Sequence, residues 1–171
     1  MHATLPHATL QTRVRIDDPT LENPFEWCTV TTSDICAGRR IVIFAVPAAF
    51  SPTCSDEHLP GFEQLYDDIR AQGIDDVYCL SVNDSFVMNA WKKSQDLKNV
   101  EVIPDGSGEF TRKMGMLVCK DNLGFGMRSW RYAAVVEDGV VTKWFEEPGY
   151  EDNCASDPYG ESAPQNLLEN V

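Results

Sequence analysis

The sequence predicts an α/β protein in which helices flank a mixed β-sheet. Residues 40–47 are a nearly unbroken run of β-branched and aromatic residues, which is typical of a strand buried on both faces of a parallel sheet. Two later apolar runs within residues 132–145 are joined by Asp138-Gly139, a dipeptide that strongly favours a tight β-hairpin. Because strands of both kinds are expected in one core, the predicted sheet is mixed.

The middle of the chain alternates between strand and helix patterns. After the first strand, apolar residues recur at helical spacing from Cys54 to Gly73, a glycine placed where a helix can end. Residues 76–82 form the next strand, and Ser85 can cap the helix that follows it. The predicted buried side of that helix consists of Phe86, Val87, Ala90 and Trp91.

The remaining patterns complete the predicted fold. Further strands are expected at residues 100–103, 132–137 and 140–145, and further helices at 109–116 and 164–171. Alternating residues at 9–16 and 27–31 predict an added amino-terminal hairpin. We therefore predict a thioredoxin-like fold with an amino-terminal extension, formed by residues 1–171 as a single domain.

Charge and hydropathy disfavour two classes of partner. Lys plus Arg total 14 against 27 Asp plus Glu, which gives a net charge of -13 and would repel nucleic-acid phosphates and anionic lipids. The longest apolar run, residues 41–50, is interrupted by Pro47 and is shorter than the roughly 20 residues of a membrane-spanning helix. The amino terminus lacks the pattern of a signal peptide. We expect no nucleic-acid partner, no membrane association and a cytoplasmic location.

Six cysteines are the main candidates for chemistry. They show no C-x-x-C pair and no Cys/His spacing of a structural zinc site, so we expect neither a bound metal nor a cofactor. Because a cytoplasmic chain keeps its thiols reduced, the reactivity of each cysteine should depend on its surroundings. Cys79 lies within an apolar strand and is expected to be an inert buried thiol. The patterns leave open the roles of Cys28, Cys36 and Cys119.

Cys54 has the setting of an activated thiol. It follows a buried strand and opens a helix, where unpaired amides and the helix dipole favour the thiolate. An ordinary thiol has a pKa of about 8.5, and its full ionisation at about pH 7 needs roughly 2.7 kcal/mol, more than the about 2 kcal/mol that a helix end supplies at best. Asp56 and Glu57 oppose ionisation. A buried arginine is therefore required, and Arg128 and Arg131 are the candidates.

The residues around Cys54 resemble the active site of the peroxiredoxin family. The family pattern is Pro, three residues, Thr or Ser, two residues and Cys, which corresponds here to Pro47, Ser51 and Cys54. Residues 58–62 and 131–139 resemble the atypical branch that includes peroxiredoxin five. The segments most similar to bacterial peroxiredoxins fused to a glutaredoxin domain, a domain that is not expected in this chain, are residues 86–91, 103–106 and 123–132.

The resemblance implies a role for each residue of the pattern. Cys54 would be the peroxidatic nucleophile, with Pro47 shielding its thiolate. Ser51 and Arg131 would contact the peroxide oxygens. From the residues alone, the Ser51 hydroxyl can also cap the helix. His58, one turn after Cys54, could face the thiol but is expected to be a hydrogen-bond partner of the backbone or a packed helix residue, and not a catalytic one.

The resemblance also implies a thiol-dependent peroxidase without a prosthetic group. Its substrates would be hydrogen peroxide and alkyl hydroperoxides, and oxidation would leave a sulfenic acid on Cys54. Glutathione with glutaredoxin, or else thioredoxin, would supply the reducing thiol as co-substrate. The chain would form a homodimer.

Cys154 is a candidate resolving cysteine. Residues 148–158 are rich in turn-forming residues and predict an exposed, mobile loop that could bring this thiol to Cys54. A spectator role for Cys154 is equally open, because in the glutaredoxin-linked branch glutathione can reduce the sulfenic acid directly.

Two other functions compete with this prediction. A thioredoxin-fold redox sensor or binding module would use an oxidised Cys54 to signal to a partner, and kinetics would separate it from a peroxidase. A thiol-disulfide oxidoreductase ranks third, because it would be expected to carry the C-x-x-C pair that this chain lacks.

Overall fold

A five-stranded mixed sheet lies at the centre of the protein, as seen in a computed structural model that describes residues 3–171. β3 (Arg40–Ala45) runs parallel to β4 (Asp76–Ser81), and β4 runs parallel to β5 (Glu101–Pro104). In contrast, β8 (Tyr132–Glu137) is antiparallel to β3 and to β9 (Val140–Glu146). The predicted α/β architecture with a mixed sheet is therefore confirmed. In spatial order the strands are β5, β4, β3, β8 and β9.

Two smaller antiparallel pairs accompany the central sheet. The amino-terminal pair, β1 (Thr9–Arg15) with β2 (Phe25–Thr31), confirms the predicted hairpin extension. The second pair joins β6 (Leu117–Cys119) to β7 (Met127–Ser129). Strands of three residues are too short to show a period of two, so this pair was not predicted from the sequence.

Short helices cover both faces of the sheet. The helices predicted at residues 109–116 and 164–171 end earlier, at Lys113 and Glu169. No helix within residues 3–171 is long and apolar enough to cross a membrane. The helices are α1 (Thr32–Cys36), α2 (Leu59–Gln64), α3 (Tyr66–Ala71), α4 (Ser85–Ser94), α5 (Glu109–Lys113) and α6 (Pro164–Glu169).

The core forms two layers because side chains alternate across each strand. Ile41 and Ile43 of β3 pack in one layer with residues of α1 and α5. Val42 and Phe44 pack in the other layer with residues of α2, α3, α4 and α6. Cys54 belongs to this second layer, so the segment after β3 returns to the face that carries most of the helices.

The hairpin between β8 and β9 forms at the predicted dipeptide. Asp138 and Gly139 have φ values of 46° and 78°, as the two central residues of a tight type I′ turn require. Gly139 adopts this conformation without a Cβ penalty, and Asp138 is among the residues that tolerate it best. The pairing of β8 with β9 extends from this turn back to Tyr132, the residue that follows Arg131.

The buried face of α4 differs from the prediction. Trp91 is fully buried as predicted, but Phe86 is 56% exposed, Ala90 is exposed and Met88 is fully buried instead. The helix cap also differs, since the carboxylate of Asp84 accepts a hydrogen bond of 2.9 Å from the amide of Val87. The buried stripe therefore consists of Ser85, Met88 and Trp91, which follow each other at intervals of three residues.

The predicted helix after Cys54 consists of three pieces. Cys54–His58 is a π-helical turn in which the amide of Leu59 donates to the carbonyl of Cys54. α2 follows directly, and the backbone leaves helical geometry at Leu65 before α3 begins. A π-helical turn leaves no signature in hydrophobic spacing, although such turns are frequent at functional sites.

The corrected face of α4 can be tested with a pair of truncations on that helix. We expect Met88→Ala to lower the free energy of unfolding by about 2–5 kcal/mol, because it empties a fully buried position. Phe86→Ala should cost about 1 kcal/mol or less, since its ring is more than half exposed. Urea unfolding followed by tryptophan fluorescence measures both values. A larger loss of stability for Phe86→Ala than for Met88→Ala would instead support the buried face predicted from the sequence.

Candidate active site

The loop after β3 leads from the sheet edge to the helical turn of Cys54. Pro47 in this loop is buried. The preceding amide, of Val46, donates to the carbonyl of Leu80 at 3.0 Å and ties the start of the loop to β4. The loop therefore leaves the carboxyl end of β3 at a fixed position, as is usual for sites of α/β sheets.

Ser51 begins the helical segment through its backbone and not through its hydroxyl. Its carbonyl accepts the first helical hydrogen bond, 2.9 Å from the amide of Ser55. The hydroxyl donates to the carbonyl of Ala48 at 2.7 Å, so the predicted side-chain cap is wrong. Phe50, just before it, has a φ of 64°, a conformation that a non-glycine residue rarely adopts and that is common near functional sites. The amide of Cys54 lies in the first turn of this segment, where backbone donors lack helical partners.

Arg131 is the cation that lies beside Cys54. Its side chain is 1% exposed and that of Cys54 is fully buried, and the guanidinium Nη2 lies 3.5 Å from the sulfur. A charged donor at this distance stabilises the thiolate in addition to the helix end. Asp56 and Glu57 are exposed, so water screens the unfavourable charge that they contribute.

Arg128, the other candidate cation, has a structural role. Its Nε donates to the carbonyl of Phe125 at 3.0 Å and its Nη1 to that of Val82 at 3.2 Å. Both acceptors belong to connecting segments, so this side chain ties the β6–β7 hairpin to the segment after β4. Burial lowers the pKa of Arg128.

His58 contacts Arg131 directly, which the sequence analysis did not predict. Its Nε2 lies 3.1 Å from the carbonyl of Ser162, and its Nδ1 lies 3.1 Å from Arg131 Nη1. Since a carbonyl only accepts and a guanidinium only donates, the proton is assigned to Nε2 and Nδ1 is the acceptor. Burial and the charge of Arg131 hold the pKa of His58 well below its ordinary value, so the ring is neutral. The neutral ring accepts a hydrogen bond that orients Arg131, and it adds no second positive charge beside the guanidinium.

The buried carboxylate of Glu147 holds the carboxyl-terminal segment over the site. It accepts hydrogen bonds of 2.8 Å from the amides of Gly160 and Ser162 and of 2.7 Å from the Ser162 hydroxyl. The amide of Glu147 in turn donates to the carbonyl of Arg131 at 3.2 Å. Glu147 thereby holds Ser162 in place, and the Ser162 carbonyl is the acceptor that sets the tautomer of His58.

Asp157, on the same segment, forms an ion pair with Arg131. Its two oxygens lie 2.8 and 3.0 Å from Nη2. Burial of Arg131 opposes its charged form, but the nearby Cys54 and Asp157 outweigh that effect and keep its pKa raised. The site therefore contains one fixed positive charge between a thiol and a carboxylate.

Cys154 is buried and lies on the opposite face of the sheet from Cys54. Its side chain is 7% exposed, although the neighbouring residues 148–153 and 155–157 are exposed, as the sequence predicted for this loop. Cys154 packs in the core layer of Ile41 and Ile43, whereas Cys54 packs in the layer of Phe44. The loop is thus exposed along most of its length, but this one side chain turns into the core.

The other cysteines show how strongly burial controls the thiols. Cys79 is fully buried, and this burial, together with the neighbouring Cys54, raises its pKa well above the ordinary value. This agrees with the prediction of an inert thiol. Burial also raises the pKa of Cys36. No group of three or more His, Cys, Asp or Glu within residues 3–171 is arranged to hold a metal ion.

Comparison with known proteins finds relatives along almost the whole chain. The chain is 62% identical over 169 residues to a peroxiredoxin of Rhizobium etli, covering 99% of this chain and 94% of that protein. A family model described as Redoxin matches residues 18–158. The chain belongs to the peroxiredoxin family. This peroxiredoxin is therefore a thiol peroxidase that acts through cysteine chemistry.

Two further matches bear on the branch of the family. The peroxiredoxin is 47% identical over 144 residues to the hybrid peroxiredoxin hyPrx5 of Haemophilus influenzae, covering 84% of this chain and 58% of that protein. Its fold matches the crystal structure of a Plasmodium falciparum antioxidant protein, a 1-Cys peroxiredoxin, with a TM-score of 0.91 and 36% identity over 98% of this chain and 96% of that chain. The resemblance to the hybrid branch and the thioredoxin-like fold are confirmed.

Four residues around Arg131 escaped the sequence analysis as parts of the site. His58 was recognised as one helical turn from Cys54, and that spacing was its only signal. Asp157, Tyr159 and Glu147 lie in a region whose sequence is acidic and turn-rich throughout. No local pattern distinguishes the carboxylates that contact the site from the exposed ones.

The lowered pKa of His58 predicts a loss of stability in mild acid. The folded protein keeps this ring neutral, while in the unfolded chain it takes up a proton below the ordinary pKa of 6.5. Stability is therefore complete above that pH and falls as the pH decreases, towards a limit of about 1.4 kcal/mol per pH unit from this residue. Urea unfolding between about pH 5.5 and pH 7 measures the slope.

In the His58→Asn variant this slope should decrease by the contribution of one proton. His7→Asn, which replaces an exposed histidine, is the matched control. An unchanged slope in the His58 variant would contradict the neutral assignment.

Proposed function

We propose that Cys54 is the peroxidatic cysteine of this peroxiredoxin, assisted by Arg131, Ser51 and Pro47. The observation that carries the proposal is the contact of 3.5 Å between Arg131 Nη2 and the Cys54 sulfur inside a fully buried site. Pro47 and the core layer exclude water from the sulfur, and the amide of Cys54 adds a donor. Such fixed donors stabilise charge that develops in a transition state.

The proposed reaction transfers two electrons from sulfur to peroxide. The Cys54 thiolate attacks one oxygen of a hydroperoxide, the O–O bond breaks, and the other oxygen leaves and takes up a proton as water or an alcohol. Sulfur is oxidised to the sulfenic acid. Arg131 faces the position where both the thiolate and the leaving oxygen carry negative charge, and Ser51 lies one helical turn away to contact the peroxide.

We propose that an external thiol completes the cycle. Condensation of the sulfenic acid with glutathione gives a mixed disulfide and water, and a second thiol, from glutathione or glutaredoxin, restores Cys54. The burial of Cys154 on the opposite face of the sheet supports this one-cysteine cycle, because a Cys54 to Cys154 disulfide would require the core to open. Resemblance to the glutaredoxin-linked branch supports glutathione over thioredoxin.

Three features support the proposed location, domain organisation and oligomeric state of the enzyme. Six cysteines occur as free thiols, which supports a reducing, cytoplasmic location. Both core layers share one central sheet, which supports a single domain across residues 1–171. Exposed aromatic side chains support the homodimer that the family resemblance implies, namely Trp27, Phe50 and Phe86, which are 59%, 54% and 56% exposed.

A cysteine series tests the proposed cycle. Cys54→Ser should abolish hydrogen peroxide consumption with glutathione and glutaredoxin, because it removes the nucleophile. Cys154→Ser should keep at least about half of the wild-type rate, since a residue outside the cycle is not needed for turnover. Peptide mass mapping after peroxide treatment should find sulfenic or glutathionylated Cys54.

Two outcomes would revise this proposal. Normal turnover by Cys54→Ser would remove Cys54 from the reaction. A Cys54 to Cys154 disulfide, with turnover lost in Cys154→Ser and restored by thioredoxin only in the wild type, would replace the one-cysteine cycle with a two-cysteine cycle. Oxidation of Cys54 without any turnover would favour a redox sensor.

The role of Arg131 is tested by comparing the two arginines that the sequence offered. Arg131→Met should lower the thiolate fraction of Cys54 at neutral pH, measured by ultraviolet absorbance, and reduce the rate of peroxide reduction by roughly 100-fold or more. Arg128→Met removes a partly buried guanidinium whose hydrogen bonds within the described residues go to loop carbonyls and which lies over the ring of Phe125, and it should leave the thiolate fraction unchanged. Equal effects of the two substitutions would show that Arg131 acts only through stability.

A further inference from the structure

The carboxyl-terminal segment crosses the active site between two anchored points. Before the site, the side-chain amide of Asn122 donates to the carbonyl of Cys154 at 3.2 Å. After the site, the carboxylate of Glu147 accepts hydrogen bonds from residues 160–162. We call the intervening residues 155–159 the strap. Because both ends are held, the strap can shift without unfolding the rest of the chain.

The strap contacts the site through two side chains. Asp157 places both carboxylate oxygens on Arg131 Nη2, at 2.8 and 3.0 Å. The ring of Tyr159 lies 5.0 Å from the ring of His58 and 5.8 Å from the guanidinium carbon of Arg131. The strap therefore touches the groups that surround the Cys54 sulfur.

Asp157 occupies Nη2, the nitrogen of Arg131 that contacts the Cys54 sulfur. A guanidinium has five N–H donors. Nη1 of Arg131 donates to His58, and Nη2, with two hydrogens, faces both Asp157 and the Cys54 sulfur. Nε is buried and has no partner within the described residues. A peroxide that binds at Nη2, beside the sulfur, must therefore share or displace the contact made by Asp157.

The carboxylate also lies on the solvent side of the guanidinium. The side chain of Asp157 is 46% exposed, whereas that of Arg131 is 1% exposed and Cys54 is fully buried. When Asp157 moves away, its half-exposed carboxylate regains water, while Arg131 keeps the Cys54 sulfur as a partner and gains the peroxide oxygen in place of the carboxylate. On its solvent side, Nη2 is therefore covered by Asp157.

We propose that Asp157 is a gate of the peroxide site that selects against negatively charged substrates. The proposal rests on the proposed function of Cys54. In the empty enzyme Asp157 pairs with Arg131, and a neutral hydroperoxide replaces the carboxylate as the partner of Nη2. An anionic oxidant meets the same carboxylate as a repelling charge, both while it approaches and while it competes for Nη2.

The test compares neutral and anionic reagents on the full-length protein. Hydrogen peroxide and peroxymonosulfate form the oxidant pair, and iodoacetamide and iodoacetate form the alkylating pair. In Asp157→Asn, which keeps the shape but removes the charge, the anionic-to-neutral rate ratio at Cys54 should rise roughly three- to tenfold for both pairs. The rates are measured by stopped-flow fluorescence and by mass spectrometry of the Cys54 peptide, with Cys54→Ser as the blank.

Glu151→Gln is the matched control. It removes one negative charge from the same exposed segment, outside the strap, so its rate ratios should stay within about twofold of the wild type. Unchanged ratios in Asp157→Asn, or an equal rise in Glu151→Gln, would overturn the gate. Asp157→Ala, which removes both oxygens, should raise the ratios at least as much as Asp157→Asn.

The two reagent pairs separate this proposal from the proposed function. Alkylation of Cys54 does not depend on peroxidase turnover, so a changed iodoacetate-to-iodoacetamide ratio supports the gate even if the wild type fails to consume peroxide. Failure of the wild type to consume peroxide would instead overturn the role of Cys54 as a peroxidatic cysteine. An unchanged alkylation ratio with normal wild-type turnover would overturn the gate alone.

Discussion

A buried positive charge is the constraint on which the active site depends. The guanidinium of Arg131 is almost fully removed from water, and a buried charge without partners costs several kcal/mol. Its neighbours offset this cost in three chemical forms: the thiolate that Cys54 can become, the carboxylate of Asp157 and the bare nitrogen of a neutral His58. A protonated His58 would remove one acceptor and add a second cation. The pairing of Asp157 is therefore a consequence of burying Arg131, whereas the neutrality of His58 follows first from its own burial and then from the charge of Arg131.

The sheet topology brings Cys54 and Arg131 together although 77 residues separate them. Ala45, the last residue of β3, lies opposite Tyr132, the first residue of the antiparallel β8. The loop that leaves β3 and the residue that precedes β8 consequently meet at one edge of the sheet. Glu147, just after β9, adds the carboxyl-terminal segment at the same edge.

The sequence was sufficient to predict those features of the fold and the site that depend on a local pattern of residues. Hydrophobic spacing predicted the central strands, the Asp138-Gly139 turn predicted the hairpin, and an energy argument showed that Cys54 needs an arginine. Spacing and energetics alone could not choose between Arg128 and Arg131, because that choice depends on strand register; only the family resemblance implied Arg131. The exposure of Phe86 was missed because hydrophobicity alone does not separate the buried stripe of Ser85, Met88 and Trp91 from the other apolar residues of this short helix. Asp157 could not be found at all, since its role depends on how a turn-rich segment folds back.

The cysteines illustrate why position relative to the sheet decides reactivity more than burial does. Cys54, Cys79 and Cys154 are all buried. Cys79 lies in the layer of Cys54 but within a strand, where burial raises its pKa and the cation does not compensate. Cys154 packs in the other layer. Among these three cysteines, Cys54 alone combines a helical turn with direct contact to the guanidinium. In the proposed mechanism, a thiol that is buried to exclude water becomes a nucleophile because the fold also buries a charge beside it.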